Sequence, residues 1–457
     1  MPVRRCALAE RRRVVGYTQE QLAELLGVER STVVRWEAGE TTPQPWCRPK
    51  LAEALAVSVD ELDTMLTEVQ AEGVAGQLRD VGAADQLPNG AEHDPVLTAP
   101  WNHRGTVEAI VMLSGGGWVK RRAFLSLAGT ALTAPAHQWL VHEPEPLVSG
   151  LSGRRISAGM VRQLTAMIAE LRKMDDIAGG GSVLSLAQHE FSWVAGLLDH
   201  AGYDERTGRM LFVALAELGQ LCGWAAYDAG HHALAQRYYV AALRATHSAD
   251  DRPLGAHVLS CMAEQAARQG QPAEAVTLIE TALAGMRGQQ IPSLLAELYG
   301  RQAYASATVG DVSGCAAVIS TLNTQIERLA PDAGPSWLYW VNPAHMICEA
   351  GNALRQLGHT KQAAVVLKDG IAMYDDSLPS GKAGYLIALA DVRARPGKQR
   401  DLDVAASHGM EAIQLTETLD SPRLAGRIRN LYHQMMPHAK VPAVGEFLER
   451  ARSLVTV

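Results

Sequence analysis

Five glycines, Gly230, Gly270, Gly310, Gly358 and Gly397, follow one another at steps of 40, 40, 48 and 39 residues, and nothing else in the chain constrains its fold as much. Each stands between two stretches with a helical apolar period, where a helical hairpin needs the positive φ that glycine adopts without steric cost. Seven residues before them lie Gly223, Ala263, Ala303, Gly351 and Ala390. Five after them lie Ala235, Ala275, Cys315, Ala363 and Leu402, and twelve after lie Ala242, Ala282, Leu322, Gly370 and Gly409. Small side chains at fixed offsets let the first helix of a unit approach the second, and the next unit, closely. Leu402 departs from this rule, so the fifth unit is the irregular one. Aromatic residues make up only 5% of the chain, with four Phe. Such a composition favours an all-α fold, since β-rich cores draw on branched and aromatic side chains.

In period and offsets these units resemble tetratricopeptide repeats, with a step about six residues longer than the usual 34. The eight extra residues before Gly358 are placed in the Pro331–Pro335 loop, and residues 421–455 are expected to close the stack as a cap. The resemblance implies a curved solenoid whose first helices line the concave face. By repeat position, Trp224, Tyr227, Asp228, Glu264 and Arg268 point into that groove, followed along the stack by Tyr304, Asn352, Arg355, Asp391 and Arg395. Asn and Arg on such a face hold peptide backbones or carboxylates by paired hydrogen bonds. A solvated face, or a seat for the protein's own helices or a dimer mate, is the alternative.

The N-terminal residues follow a different pattern. Thr18 and Gln21 have the spacing of a capping box, with Leu22, Ala23 and Leu26 as the apolar stripe and Gly27 as the stop. A short turn leads to Val28, Val33 and Trp36, ended by Gly39. The run Gly16-Tyr17-Thr18-Gln19-Glu20-Gln21-Leu22-Ala23-Glu24-Leu25-Leu26-Gly27-Val28, with Ser31 to Gly39 behind it, resembles the lambda-repressor/Cro-like (XRE) helix-turn-helix. That family implies a five-helix head whose helix 29–37 enters the major groove while helix 18–26 crosses the backbone. By that correspondence Arg30, Ser31, Thr32 and Arg35 reach base edges. Thr18 and Gln19 hold a phosphate at a helix start, and Arg48 with Lys50 lies beside them. Arg12 and Glu37 stand where relatives carry an internal ion pair.

Charge is consistent with this division. The chain has a net charge of −7. Residues 1–50 hold nine Lys and Arg against six Asp and Glu, a net of +3 that leaves −10 on the remainder. Glu20, Glu24 and Glu29 near the expected DNA face are the counter-signal, and they favour a protein-facing head. The domains are accordingly 1–67, a DNA-binding head; 68–104, a flexible linker rich in Gly, Ala, Asp and Pro; 105–205, a helical prelude; and 206–457, the repeat region.

Within the prelude, Lys120-Arg121-Arg122-Ala123-Phe124-Leu125-Ser126 resembles a twin-arginine export signal when taken alone. Lying behind a complete DNA-binding pattern, it is expected instead to belong to a helix docked on the domain behind it. A similar internal Arg-Arg-x-Phe-Leu occurs in a group of Cro-like regulators of GC-rich bacteria. An exported repeat protein beginning near Met112 is the weaker alternative.

Catalytic and metal patterns do not assemble. The six cysteines are scattered without a C-x-x-C pair, which fits a reducing cytoplasm. No run of about 18 apolar residues offers a membrane span. Gly115–Gly117 and Gly179–Gly181 lack the strand a phosphate loop needs and are expected to break helices. Asp175-Asp176 reads as a helix end, and His189-Glu190 and His231-His232 stand without partners. The expectation is a cytoplasmic, non-enzymatic bacterial regulator without cofactor. Double-stranded DNA is its expected partner, with a homodimer mate and a peptide, protein or small-molecule effector in the groove. The rival is a protein-binding adaptor.

Overall fold

The computed structural model describes residues 11–12, 15, 17–37, 41, 43, 47–55, 57, 62, 94–114, 126–145, 153, 155–330, 334–374, 377–398 and 400–455. Among them the regular structure is helical throughout, with one isolated bridge between Arg155 and Gly202. Two compact units result, Met1–Asp85 and Gln86–Val457.

The first unit contains α1 (Gln19–Leu26), α2 (Arg30–Glu37) and α3 (Arg48–Ala54). The capping box forms as expected: the Thr18 hydroxyl accepts from the Gln21 amide at 3.1 Å, and Gln21 Oε1 accepts from the Thr18 amide at 2.8 Å. Gly27 ends α1 at φ 69°. Leu22, Ala23, Leu26, Val33, Trp36, Leu51 and Leu55 close one small core.

In the second unit, α4 (Pro95–Thr98), α5 (His103–Ser114) and α6 (Thr130–Val141) precede a series of helical hairpins. These are α7/α8 (Ala158–Ala178, Gly180–His200), α9/α10 (Glu205–Asp228, His232–Ala249) and α11/α12 (Arg252–Arg268, Pro272–Gly285). They continue as α13/α14 (Pro292–Thr308, Val312–Ile326), α15/α16 (Pro343–Gln356, Thr360–Ala372), α17/α18 (Pro379–Ala394, Leu402–Thr416) and α19/α20 (Pro422–Met435, Pro442–Val455). Helix α9 is long and apolar enough to cross a membrane by composition, yet 83% of its most apolar window is buried inside the fold.

Gly230, Gly270, Gly310 and Gly358 turn their hairpins at φ 76–82°, whereas Gly397 sits at 136° inside a longer connection. The small residues serve close packing. A Cβ at Gly223 would meet the Tyr239 ring at 2.5 Å, and one at Gly370 would meet Cys348 Sγ at 2.6 Å.

Three features depart from the sequence reading. Residues 94–104 belong to the second unit rather than to a linker; residues 68–93 lie outside the described residues. Asp94 caps α4 and pairs with Arg237 at 2.9 Å. Arg244, fully buried, donates to the carbonyls of Val96, Leu97, Ala99 and Pro100 at 2.6–3.2 Å. A segment without apolar period is thus fixed through its backbone, by an arginine about 150 residues away. Second, the prelude is partly regular, because α7/α8 is a hairpin of the same kind. The Arg-Arg-x-Phe-Leu residues 121–125 lie outside the described residues. Just behind them, Leu127 exchanges two backbone hydrogen bonds with the Gln236 amide, at 2.6 and 3.0 Å, and α6 packs on α10 and α12.

Third, the stack does not remain an open groove. Its start and end meet: the Asp420 amide donates to the Ala178 carbonyl at 2.7 Å, and the Gly181 amide donates to the Asp420 carbonyl at 3.0 Å. Asp228, at the end of α9, accepts from the Gly180 amide (3.1 Å), the Ser421 hydroxyl (2.8 Å) and Arg423 Nε (2.7 Å). Gly179–Gly181 is therefore a close-approach site, since a Cβ at Gly179 would lie 2.7 Å from the Asp420 carbonyl oxygen.

Candidate functional site

In the first unit, the turn between α1 and α2 sets the site. Arg12, buried behind it, donates from Nε to Glu37 Oε1 at 2.6 Å and from Nη1 to the Tyr17 carbonyl at 2.7 Å. This places both residues in the scaffold. Gln19 joins them, with Nε2 donating to Glu37 Oε2 at 2.7 Å. Its side chain is committed to the scaffold, so the start of α1 offers backbone N–H groups rather than the Gln19 amide. The Thr18 hydroxyl is likewise engaged in the capping box.

With Val33, Trp36 and Glu37 buried, Arg30, Ser31, Val34 and Arg35 are exposed on α2 and Thr32 is half-buried. Arg35 Nε donates to the Ser31 carbonyl at 3.3 Å, and the Ser31 hydroxyl donates to Glu29 at 3.2 Å. Arg48 donates to the Pro43 carbonyl at 3.1 Å, and Lys50 is exposed. Sequence reasoning passed over Val34, which is 38% exposed. A branched apolar side chain between two arginines suits contact with a thymine methyl, while each arginine suits guanine O6 and N7.

In the second unit, the inner helices α7, α9, α11, α13, α15, α17 and α19 enclose a cavity of about 140 Å³. Of the residues assigned to a groove, Trp224, Glu264 and Arg268 line it. The others do not: Tyr227, Asp228, Tyr304 and Asn352 are packed interior, and Arg355, Asp391 and Arg395 are half-buried. Tyr227 and Asp228 are buried at 1% and 2% exposure, and Tyr304 is buried beneath the Arg268 guanidinium. Asn352, Arg355, Asp391 and Arg395 bond to one another. Arg355 donates to Asn352 Oδ1 (2.9 Å) and Asp391 (2.8 Å), and Arg395 donates to Asp391 (2.7 Å) and the Arg355 carbonyl (3.0 Å).

The cavity's own arginines are mostly paired. Arg172 meets Glu217 at 2.6 Å and Arg268 meets Glu264 at 3.1 Å. Arg301 bridges Glu264 (2.6 Å) and Glu349 (2.9 Å). Burial alone would raise the Glu264 pKa, but Arg301, Arg268 and Arg423 outweigh it and hold it at about 2. Arg427 is the exception: it donates to the Gly384 carbonyl at 2.6 Å, with no carboxylate within ion-pair distance among the described residues. Burial, then the neighbouring cations Arg268, Arg423 and Arg355, push its pKa down to about 9.

Asp175 and Asp176 line the cavity rather than merely ending α7. Burial, with Asp228 and Asp176 beside it, pushes Asp175 well up. Burial also raises Asp176, to about 6, although the hydrogen bond from Tyr339 opposes the shift. Trp337, Tyr339 and Trp340 line the cavity as well. They come from the segment that lengthened the 48-residue step, so the break in period was the sequence signal for them. Nothing local marked Arg423 and Arg427, since they sit in what looked like a cap.

His257, Cys261 and Glu297 place their ligand atoms within 4.8 Å of one another. Hydrogen bonding accounts for the cluster: Glu297 accepts from His257 Nδ1 at 2.8 Å and from Ser260, and Cys261 Sγ accepts from Gln220 at 3.6 Å. Burial pushes the Cys261 thiol well up, against metal ligation as a thiolate.

An all-helical chain with this capped pair of helices at its head is, in general terms, a DNA-binding regulator. Residues 5–65 match the family model of the helix-turn-helix domain. No curated relative matches the chain closely enough to add to this.

Proposed function

We propose that the protein is a sequence-specific transcriptional regulator of the Cro-like (XRE) kind, whose tetratricopeptide-like region is a sensor and a dimerisation surface. The exposed face of α2, with Arg30, Ser31, Val34 and Arg35 on one side of a buried Val33–Trp36 seam, carries this reading. Two heads in a homodimer address half-sites one helical turn apart, about 34 Å. An effector in the repeat region shifts the population between forms that do and do not present this spacing. The reading involves no catalytic step, cofactor or membrane, and it places the protein in a bacterial cytoplasm with the chromosome.

Selection of duplexes from a random library by the full-length chain tests this. One motif should be enriched, and affinity for it should fall steeply with salt through counterion release. Failure to enrich any motif, with no saturable binding to any duplex, would overturn the proposal. The exposed Leu25, at 55%, beside Glu24 and Glu29 favours the second reading, a protein-binding adaptor, and that outcome would support it.

A further inference from the structure

The cavity has a chemical character that the general notion of an effector site leaves open. Four of its five arginines face carboxylates within ion-pair distance. Arg427 does not, although Arg268 and Arg423 are close enough to repel it. Gly384 leaves the guanidinium its place, since a Cβ there would meet Arg427 Nη1 at 2.9 Å. A cation held among cations, with one carbonyl for company, lowers the stability of the fold that keeps it.

The other walls are flat aromatic surfaces. Trp224 sits beneath the Arg423 guanidinium at 5.4 Å. Trp337 stacks on His257 with centroids 4.9 Å apart, and Trp340 meets His345 edge-on at 4.8 Å. Size limits the occupant. A cavity near 140 Å³ is comparable to the roughly 150 Å³ that takes a single benzene ring.

We infer that this cavity binds a small planar organic monoanion, its carboxylate paired with Arg427 and its ring against the indoles of Trp224 and Trp340. One negative charge answers Arg427, the one arginine of the cavity without a carboxylate at ion-pair distance among the described residues, while burial raises Asp175 and Asp176 toward their neutral forms; a planar carboxylate fits the guanidinium fork in a bidentate manner. Aromatic walls favour a flat ligand over a branched aliphatic one. The inference rests on the reading of the repeat region as a sensor.

Calorimetry on the full-length protein provides the test, with phenylacetate and benzoate as probes and phenylacetamide, benzamide and phenyl phosphate as controls. At least one carboxylate is expected to bind saturably with Kd below about 1 mM, and its neutral amide and the phosphate at least ~10-fold more weakly. Arg427→Gln is expected to abolish that binding while raising the thermal midpoint of the ligand-free protein, and Arg427→Lys to retain part of the binding. The rise in midpoint shows that the Gln variant folds. Carboxylates that fail to bind, amides or phosphate that bind as well, or unchanged binding in Arg427→Gln would each overturn the inference. Anisotropy on a selected duplex separates this from the wider reading. Carboxylate binding without any change in DNA affinity sinks the sensor role and keeps the site. DNA release by peptides alone keeps the sensor role and sinks the site.

Discussion

At the scale of single residues, the head divides into side chains that hold it together and side chains that are free to read. Arg35 is exposed, and it donates to the Ser31 carbonyl through Nε alone. Arg35→Ala should therefore weaken binding to the selected duplex by about 1–3 kcal/mol, roughly five- to 150-fold, and leave binding to unrelated DNA nearly unchanged. Anisotropy against both duplexes measures this. Arg12 belongs to the other group. Arg12→Met leaves Glu37 buried without its cation and should destabilise the head by about 3–5 kcal/mol, seen as an earlier unfolding transition of that unit alone. In the second unit, burial holds His247 and His345 down at about 4. The unfolded chain takes up these protons near pH 6.5. Between pH 6.5 and 4 the unfolded state binds more protons, so stability is complete above pH 6.5 and is lost as pH falls through that window. Asp175 and Asp176, both raised by burial and Asp176 to about 6, oppose this over part of the range. Replacing both histidines, His247→Gln with His345→Gln, should raise the urea midpoint at pH 5 relative to that at pH 7.5, measured against the parent protein at both pH values.

Elements show where sequence was enough and where it was not. The hairpin turns at Gly230, Gly270, Gly310 and Gly358 were legible because a turn depends on its own few residues and on a small helical period. The α1 cap was legible for the same reason. The placement of α6 was not, because its anchor is Trp139, which wedges between two glycines of the α11/α12 hairpin. Cβ atoms at Gly255 and Gly285 would each lie 2.4 Å from the indole. Neither glycine belongs to the repeat positions, and nothing near them in sequence announces a tryptophan more than a hundred residues upstream. The cavity was half legible for a related reason. Repeat position identified Trp224, Glu264 and Arg268, but which inner residues stay open depends on the curvature of the whole stack. Gly255→Ala should cost about 1–3 kcal/mol by overpacking. In the Trp139→Ala background the same change should cost far less, and this coupling, measured by a double-mutant cycle in urea, would be absent if α6 packed elsewhere.

On the scale of the whole second unit, curvature becomes closure, and closure depends on very few contacts. Asp228 joins residues 193 and 195 positions away, Ser421 and Arg423, while also receiving the Gly180 amide. It is 2% exposed, so its charge is tolerated only because these three donors satisfy it. Asp228→Asn removes the charge and leaves the half-buried Arg423 in the cavity wall without its carboxylate, a loss of up to about 3 kcal/mol. If the junction holds the ring shut, this cost should be local. Amide hydrogen exchange should rise at Gly181 and Asp420, whose bonds span the junction, before it rises at the α9–α12 amides. Small-angle scattering should show a larger radius of gyration as the stack relaxes toward an open superhelix. Gly180→Ala reaches the same junction without touching charge, because its Cβ would lie 2.8 Å from the Ala225 backbone, and it should give the same exchange pattern. A fall in stability with protection at Gly181 and Asp420 intact would show that the ring is held elsewhere. It would also make the cavity independent of the clasp between the ends of the stack.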